Sequence, residues 1–557
     1  MSAKRIYCIL FVYLAGVFLF LAGCADEGGW LSPVKITENI YSDETAVINR
    51  DGTKIVYASD ADGDYDIYLT EFSHGIWTAP LPLTHNDTPD TMPEINDAGT
   101  AIAYIGGTDD DRKIYFIEFG GGHWQKPVQI TSGAEDHYFP SMSADGATIT
   151  YQSKDLSGNR YVWLVERSGG LWQQPVRLPT VTDNNMFPVI NAYGSKIAFY
   201  GVSNGYRNIY YLSRQGSVWQ GPAALADNQE QNCQPSINAD GTRVVYYSTG
   251  EVFLPHVLPG AIADICLLEN KQGAWQPPLK IASGPYYEYD PIIDAAGNRV
   301  TYAESVPGVS EDVYCTKYSH GSWSSPINLT RGVTLGYRPY LSGDGKTIVY
   351  YGTGNVEGVL DVDNEIYILK YEKAFGIITG RIVNLTEAAP LEDVLVTANA
   401  RMAKTDAGGN FLLRVPRGRY MVTARKNCFL YSAMMDVRVN HGDVIKVNLS
   451  LSTGGNCAPY PPANPLPEHH SKDIATPVTL HWDCSDPDGD EDVTYDVYIG
   501  IQTLHHIEMH IVCANQKDTA CTVSDLQPST TYFWKIVARD SSGYETVGPQ
   551  WSFATGD

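Results

Sequence analysis

Basic residues are scarce in this chain, catalytic signatures are missing, and helical periodicity is hard to find. Lys and Arg number 39 against 64 Asp and Glu, which leaves a formal charge of −25. A field of that sign repels nucleic-acid phosphates and anionic lipid surfaces, so a nucleic-acid role is excluded. No G-x-S-x-G, H-E-x-x-H, P-loop or C-x-x-C occurs, and the spacing in "SADGATITY" does not fit a sialidase-type Asp box. What the chain has in quantity is Tyr (37), Gly (51) and Pro (32), the composition of many short strands joined by tight turns. Its 557 residues exceed what one compact core accommodates and imply several domains.

The amino terminus reads as a secretory signal, with Lys4 and Arg5 before an apolar run from Ile6 to Ala22. The run is short for a spanning helix, although a plain membrane anchor is the competing reading. It ends in Leu21-Ala22-Gly23-Cys24, which resembles the bacterial lipobox. That resemblance implies a signal peptide over 1–23, a lipid on Cys24 and attachment to the membrane through it. Ala25 stands where an inner-membrane retention signal has Asp, so a lipid-anchored protein of the bacterial cell envelope, at the outer membrane, is expected. The pair Asp26-Glu27 leaves both its periplasmic and its surface side open.

A repeat dominates the next 340 or so residues. Trp-x-x-Pro recurs at Trp77, Trp124, Trp172, Trp219, Trp275 and Trp323, at spacings of 47, 48, 47, 56 and 48. Between these lie segments such as "MPEINDAGTAIAYI" and "QPSINADGTRVVYY", each reading as strand, tight Gly turn, strand, followed by a third strand such as "DIYLTEF" or "EIYILKY". Four strands per repeat is the size of a propeller blade. Turn glycines number seven, at Gly52, Gly99, Gly146, Gly194, Gly241, Gly297 and Gly345, while the Trp strands that follow them number six. The missing strand is "GGWLSPVKIT", whose Trp30 lies 47 residues before Trp77. The chain is thus expected to be all-β, with a seven-bladed propeller over 24–374 closed by its own amino-terminal strand. These repeats resemble TolB-like β-propellers. Ala46 departs from the pattern where the other repeats have Pro, as does an insert around "GEVFLPHVLPGA" in the fifth.

Two further β-sandwich modules are expected. Residues 375–452, with Gly380, Val394, Thr405-Asp406, Gly409, Phe411, Pro416, Gly418 and Tyr420, resemble carboxypeptidase-regulatory-like modules, a spacer family without catalysis. A Pro- and Gly-rich linker over 453–472 follows, expected to be extended. Residues 473–557 resemble a fibronectin type III module, with Trp482, Tyr495, Tyr498, Leu526, Tyr532 and Trp534 as its expected core.

Several constellations carry possible chemistry. Asp60, Asp62, Asp64 and Asp66 in "DADGDYD", and Asp486, Asp488, Asp490 and Asp492 in "DPDGDED", are two candidate calcium loops, each equally readable as a polar turn. No other cofactor is expected. In "HHIEMH" a strand would place His506, Glu508 and His510 on one face, as zinc ligands or as a solvated edge. Cysteine use fits an oxidising compartment: Cys513 with Cys521 would close a hairpin and Cys457 with Cys484 would pin linker to module, while Cys266 and Cys315 read as buried free thiols.

Residues just ahead of each blade's first Pro are expected to form the partner-binding rim: Asp90, His137, Tyr138, Asn184, Asn185, Gln231, Asn232, Tyr287, Tyr289, Tyr337 and Arg338. Tyr and Asn offer flat apolar area with polar tips, suited to protein or glycan contact. The expected function is therefore a monomeric, non-enzymatic envelope lipoprotein whose propeller binds an envelope protein or glycan, with the later modules as spacer or second contact. A polysaccharide-acting hydrolase or lyase, with its site in the propeller funnel, and a purely structural envelope component are the alternatives.

Overall fold

The computed structural model describes residues 29–556 except 40, 74, 109–110, 183, 227, 250–261, 307–309, 357–358, 361–362, 373–374, 431, 455–456, 488–491 and 503–506. The signal and lipobox readings, Cys24 included, lie outside the described residues, as do Asp488, Asp490 and His506. Among the described residues every regular element is a strand.

Seven antiparallel sheets follow one another in chain order. The first comprises Asp43–Ile48, Lys54–Ser59 and Asp66–Ser73, then two short edge pieces, Ile76–Trp77 and Leu81–Pro82, both paired to Asp66–Ser73. The repeat leads one to expect a single fourth strand; in most sheets it is split into two short pieces at the Trp-x-x-Pro, where the Pro has no N–H for the ladder, although the same Pro does not break it in the fourth sheet. Residues Val218–Ala226 of the fourth sheet run unbroken.

One aromatic pair stacks directly across the second and third strands of most sheets, which is where many of the tyrosines go. Ring centroids are 5.9 Å apart for Tyr57 and Tyr68, 5.4 Å for Tyr104 and Tyr115, 5.5 Å for Tyr302 and Tyr314 and 5.3 Å for Tyr350 and Tyr367. Each sheet then shares one buried cluster with the sheet on either side. Val56, Ile67 and Leu69 pack with Ile95, Ile102 and Tyr104 of the second sheet. On the other side Ile48, Ile55 and Tyr57 pack with Val349, Ile366 and Ile368 of the seventh, so the ring closes.

Closure is made by the amino terminus. The seventh sheet orders Thr334–Leu341, Thr347–Val356 and Glu365–Glu372, and its outer place is taken by Gly29–Trp30 and Val34–Lys35, in the register Trp30 opposite Tyr371 and Val34 opposite Ile368. The turn glycines complete the ring on one face. Gly52 has φ +73, and a Cβ there would stand 2.5 Å from Thr347 Oγ1 of the seventh sheet, so the turn needs both the left-handed backbone and the missing side chain.

Two further bodies follow. In the first, Phe375–Asn384 pairs with Asn410–Pro416, and a facing sheet holds Arg401–Lys404, Leu395–Ala398, Gly418–Arg425 and Ser432–Val439; both bury a core around Ile378, Val396, Leu413 and Val422. In the second, Trp482, Tyr495, Tyr532 and Trp534 are buried in one cluster against which Leu526 packs. Tyr498 departs from its expected core role: Val497 and Ile499 take the inward face, and Tyr498 lies outward beside Lys535, 5.5 Å from its ring. The expected extended linker also departs, since Ala463–Leu466 pairs with Val478–Asp483 and belongs to the last body. Cys457 is bonded to Cys428 rather than to Cys484, because Phe429 bridges to Thr453 and brings those ends together. Cys484 is a free thiol that donates to the Tyr460 carbonyl. Cys513 is bonded to Cys521, and Cys266 and Cys315 are buried and free.

Candidate functional site

The innermost strand of every sheet contains a one-residue register shift, between Glu44 and Val47, Thr91 and Glu94, Tyr138 and Ser141, Met186 and Val189, Cys233 and Ser236, Tyr289 and Ile292, and Tyr337 and Tyr340. A bulge of this kind re-aims the side chain it contains. The bulged residues are Thr45, Met92, Phe139, Phe187, Gln234, Asp290 and Arg338, all at φ between 43 and 52. All seven line one axial cavity of about 200 Å³. The backbone conformation recurs in every sheet and is a property of the ring. The side chains differ, and they carry whatever is particular to this protein.

Their chemistry is divided. Met92, Phe139 and Phe187 come from consecutive sheets, and the two Phe rings stack with centroids 3.8 Å apart. Facing them are Gln234, Asp290, Arg338 and Thr45. Arg338 Nε lies 3.9 Å from Asp290 Oδ2, with the side chains 30% and 15% exposed to the cavity. Burial pushes the Asp290 carboxyl above the ordinary range in spite of Arg338 and Gln234. In the same cavity Tyr340 donates to Glu94 Oε2 at 3.2 Å, and burial pushes Glu94 up to about 8.

The three sheets that supply the apolar half also carry three arginines in equivalent positions, at or next to the start of their third strands. Arg112 donates to the Tyr138 hydroxyl (3.2 Å), Arg160 to Asn184 (3.3 Å) and Arg207 to Cys233 (3.1 Å). The equivalent residue of the sixth sheet is Glu311, which accepts from Tyr289 at 2.7 Å. Two of these arginines reach the aromatic lining through one intervening ring: Arg112 lies 5.3 Å from the Tyr138 ring, which is 6.2 Å from Phe139, and Arg207 lies 5.4 Å from the Tyr200 ring, which is 5.8 Å from Phe187.

Most of the expected rim residues are elsewhere. Asp90, His137, Tyr138, Asn185, Gln231 and Asn232 are buried between sheets. Asp90 accepts from Asn86 at 2.8 Å and is pushed up to about 7 by burial, while His137 bonds Thr131 at 2.7 Å and is lowered to about 4 by burial. Asn185 donates to the Arg160 carbonyl, Gln231 to Gly205 and Asn232 to Asn228. They are already inside the ladder, upstream of the bulge, so their side chains point between sheets. Asn184, Tyr287, Tyr289 and Tyr337 are half-buried, and Arg338 alone of the set lines the cavity. The sequence does carry a signal for the others: the bulged residue is the one immediately before the repeat's Pro, or before Ala46 in the first sheet. The arginines lie two residues before the apolar residue of "KIY", "YVW" and "NIY".

The acidic loops also rearrange. Asp60 Oδ1 accepts from the Ser42 N–H at 2.7 Å and turns away from Asp62, Asp64 and Asp66. In the last body Asp492 pairs with Lys517 at 2.5 Å.

No family model matches this chain, and no curated protein matches it. Solved structures do. TolB from Acinetobacter baumannii is 13% identical at a TM-score of 0.33, covering 56% of this chain and 77% of that one. The β-propeller domain of the Trilobed protease from Pyrococcus furiosus is 11% identical at 0.43, covering 60% and 98%. A lectin from Burkholderia pseudomallei is 12% identical at 0.39, covering 60% and 95%. The fold is a β-propeller. At such identities the likeness concerns the fold alone, and the ligand of this propeller has to be argued from its own channel.

Proposed function

We propose that this chain is a non-enzymatic, lipid-anchored protein of the bacterial cell envelope whose propeller binds an envelope protein or glycan at the mouth of the axial channel. The observation that supports this reading is the coincidence, on blades two to four, of the apolar group Met92, Phe139 and Phe187 with the arc Arg112, Arg160 and Arg207. A stacked aromatic pair with guanidinium groups on the same blades suits a partner that presents a carboxylate next to a ring or apolar side chain. A uronate-bearing saccharide and an acidic peptide segment both meet that description, and the later bodies act as spacer or second contact.

The test is capture from native envelopes with the chain from residue 25 onward, followed by binding measurements on the recovered partner. Phe187→Ala and Arg160→Gln should each weaken binding by roughly 10- to 30-fold, the loss typical of a central anchor, with the blade cores intact. Unchanged affinity in both, with loss on deleting residues 478–557, would move the binding role to the last body. Glu94 supports one competing reading, because a carboxyl that keeps its proton near neutral pH inside a cavity is a general-acid candidate. Turnover of an envelope polysaccharide that disappears in Glu94→Gln would establish that enzyme and overturn the binding role.

A further inference from the structure

The propeller repeats one polar clasp, and its copies serve as internal controls. In the sixth blade Asp312 Oδ1 accepts from the Thr330 hydroxyl (2.6 Å) and the Gly332 N–H (2.7 Å), and Oδ2 accepts from Asn328 (3.0 Å). In the seventh, Glu365 Oε2 accepts from Thr37 (2.6 Å), and Oε1 from the Asn39 N–H (3.0 Å) with Lys35 Nζ at 3.0 Å. Both carboxylates are fully engaged by their own surroundings.

The first blade has the same clasp with half of it missing. Thr84 donates to Asp66 Oδ1 at 2.6 Å. Asp66 is wholly buried (0% exposed), yet no N–H or hydroxyl donates to its Oδ2, and the further polar neighbour of this side chain besides Thr84 is the Asp62 carboxylate. A buried carboxylate oxygen without a partner is costly, and native proteins rarely leave one unless something else engages it. Where the sixth blade has Asn328 and a backbone amide, the first blade offers Asp62 and His85. One ligand atom from each of Asp62, Asp66 and His85 lies within 4.8 Å of the others, and His85 Nδ1 is already turned to Asp62. Asp64 Oδ2, next in the same loop, is likewise buried without a partner.

We propose that Asp62, Asp66 and His85 form a site for one divalent transition-metal ion, with zinc as the reference ion. An imidazole nitrogen with two carboxylates is a zinc-type donor set, whereas calcium takes six to eight oxygens and has no use for His85. Asp60, which a calcium loop would have recruited, is committed to the Ser42 backbone. Asp62 belongs to the connection between the second and third strands, Asp66 opens the third strand, and His85 follows Thr84 in the connection to the second blade, so the ion ties the two connections together. Three protein donors leave a fourth position for water or for a group of a bound partner.

The experiment is zinc titration of the full chain after stripping with a chelator, followed by calorimetry and by the visible spectrum of the cobalt(II)-loaded protein. Wild type should take up zinc, and His85→Gln and Asp62→Asn should each lose one equivalent of tight uptake, with affinity at this site reduced by about 10- to 100-fold or more. Both substitutions lie at accessible positions, and circular dichroism checks that the fold persists. The cobalt spectrum should lose its nitrogen-ligand bands in His85→Gln and keep them in Asp60→Asn. Zinc stoichiometry that is the same in wild type and both variants would overturn the site, as would calcium uptake that His85→Gln leaves untouched.

Discussion

Glu94 is where pH acts most directly on the channel. Its carboxyl sits in the axial cavity with one partner, the Tyr340 hydroxyl, and burial raises it to about 8 from an ordinary value near 4.5. The folded state then holds a proton that the unfolded state has lost, so stability from this group is complete below about pH 4.5 and falls as pH rises to about 8. Glu288, also raised to about 8 by burial, acts in the same direction. Glu94→Gln keeps the shape and cannot ionise, so its melting temperature should decline less than wild type between pH 5 and pH 8. Parallel melting curves for the two proteins across that range would show that Glu94 is ionised in the fold. The same scale explains what could be read in advance. The rim was expected at the residues one to four positions ahead of each Pro, where the connections between blades enter the innermost strands. The bulge inserts one residue and changes which side chains face the axis, and that shift leaves Arg338 as the one residue common to the expected rim and the observed cavity.

The amino-terminal strand could be read from the sequence because it is a matter of counting: seven Gly turns against six later Trp strands leave one strand to be found. Its energetics come from the structure. Trp30 is 8% exposed, meets Tyr371 edge-on with centroids 5.7 Å apart, and lies under the Arg299 guanidinium at 5.5 Å. Thr37 then clasps Glu365 and also accepts the Ile366 N–H at 2.9 Å. Trp30→Ala removes a buried anchor and should destabilise the propeller by about 3–5 kcal/mol. Removing residues 28–37 should do more, since it uncovers the edge of Glu365–Glu372 and invites pairing between molecules. Thermal melting with sedimentation velocity checks both, and a truncated chain that melts with the intact one and stays monomeric would show that the ring does not depend on this strand. The split of the fourth strand by its Pro was less legible, because an edge strand tolerates a Pro without announcing whether pairing resumes beyond it.

At the scale of the whole molecule the closing segment has a second attachment. Ser32 lies between its two paired pieces, and Arg401 of the following body donates to its carbonyl at 2.5 Å. The Ser32 N–H donates to the Arg414 carbonyl, and the Arg414 N–H donates to the Ser32 hydroxyl, both at 3.2 Å. Val34 pairs with Arg401, so the seventh blade's sheet runs on into the body that follows it. Composition alone could mark where the repeat ends and a new module begins, but nothing near Ser32 in sequence identifies residues 369 and 382 positions later as its partners. Ring closure and module docking thus depend on the same few residues and should be thermodynamically coupled. Arg401→Ala removes a guanidinium that burial has already lowered to about 10 and leaves both hydrophobic cores whole. The expected result is that a shared calorimetric transition in wild type separates into two in the variant, with faster hydrogen exchange at Val34–Lys35 and Arg401–Lys404 and unchanged exchange in the first three strands of blades two to five. If the variant keeps a single transition and its exchange at both strands matches wild type, the two bodies are held together by something other than Ser32 and its partners.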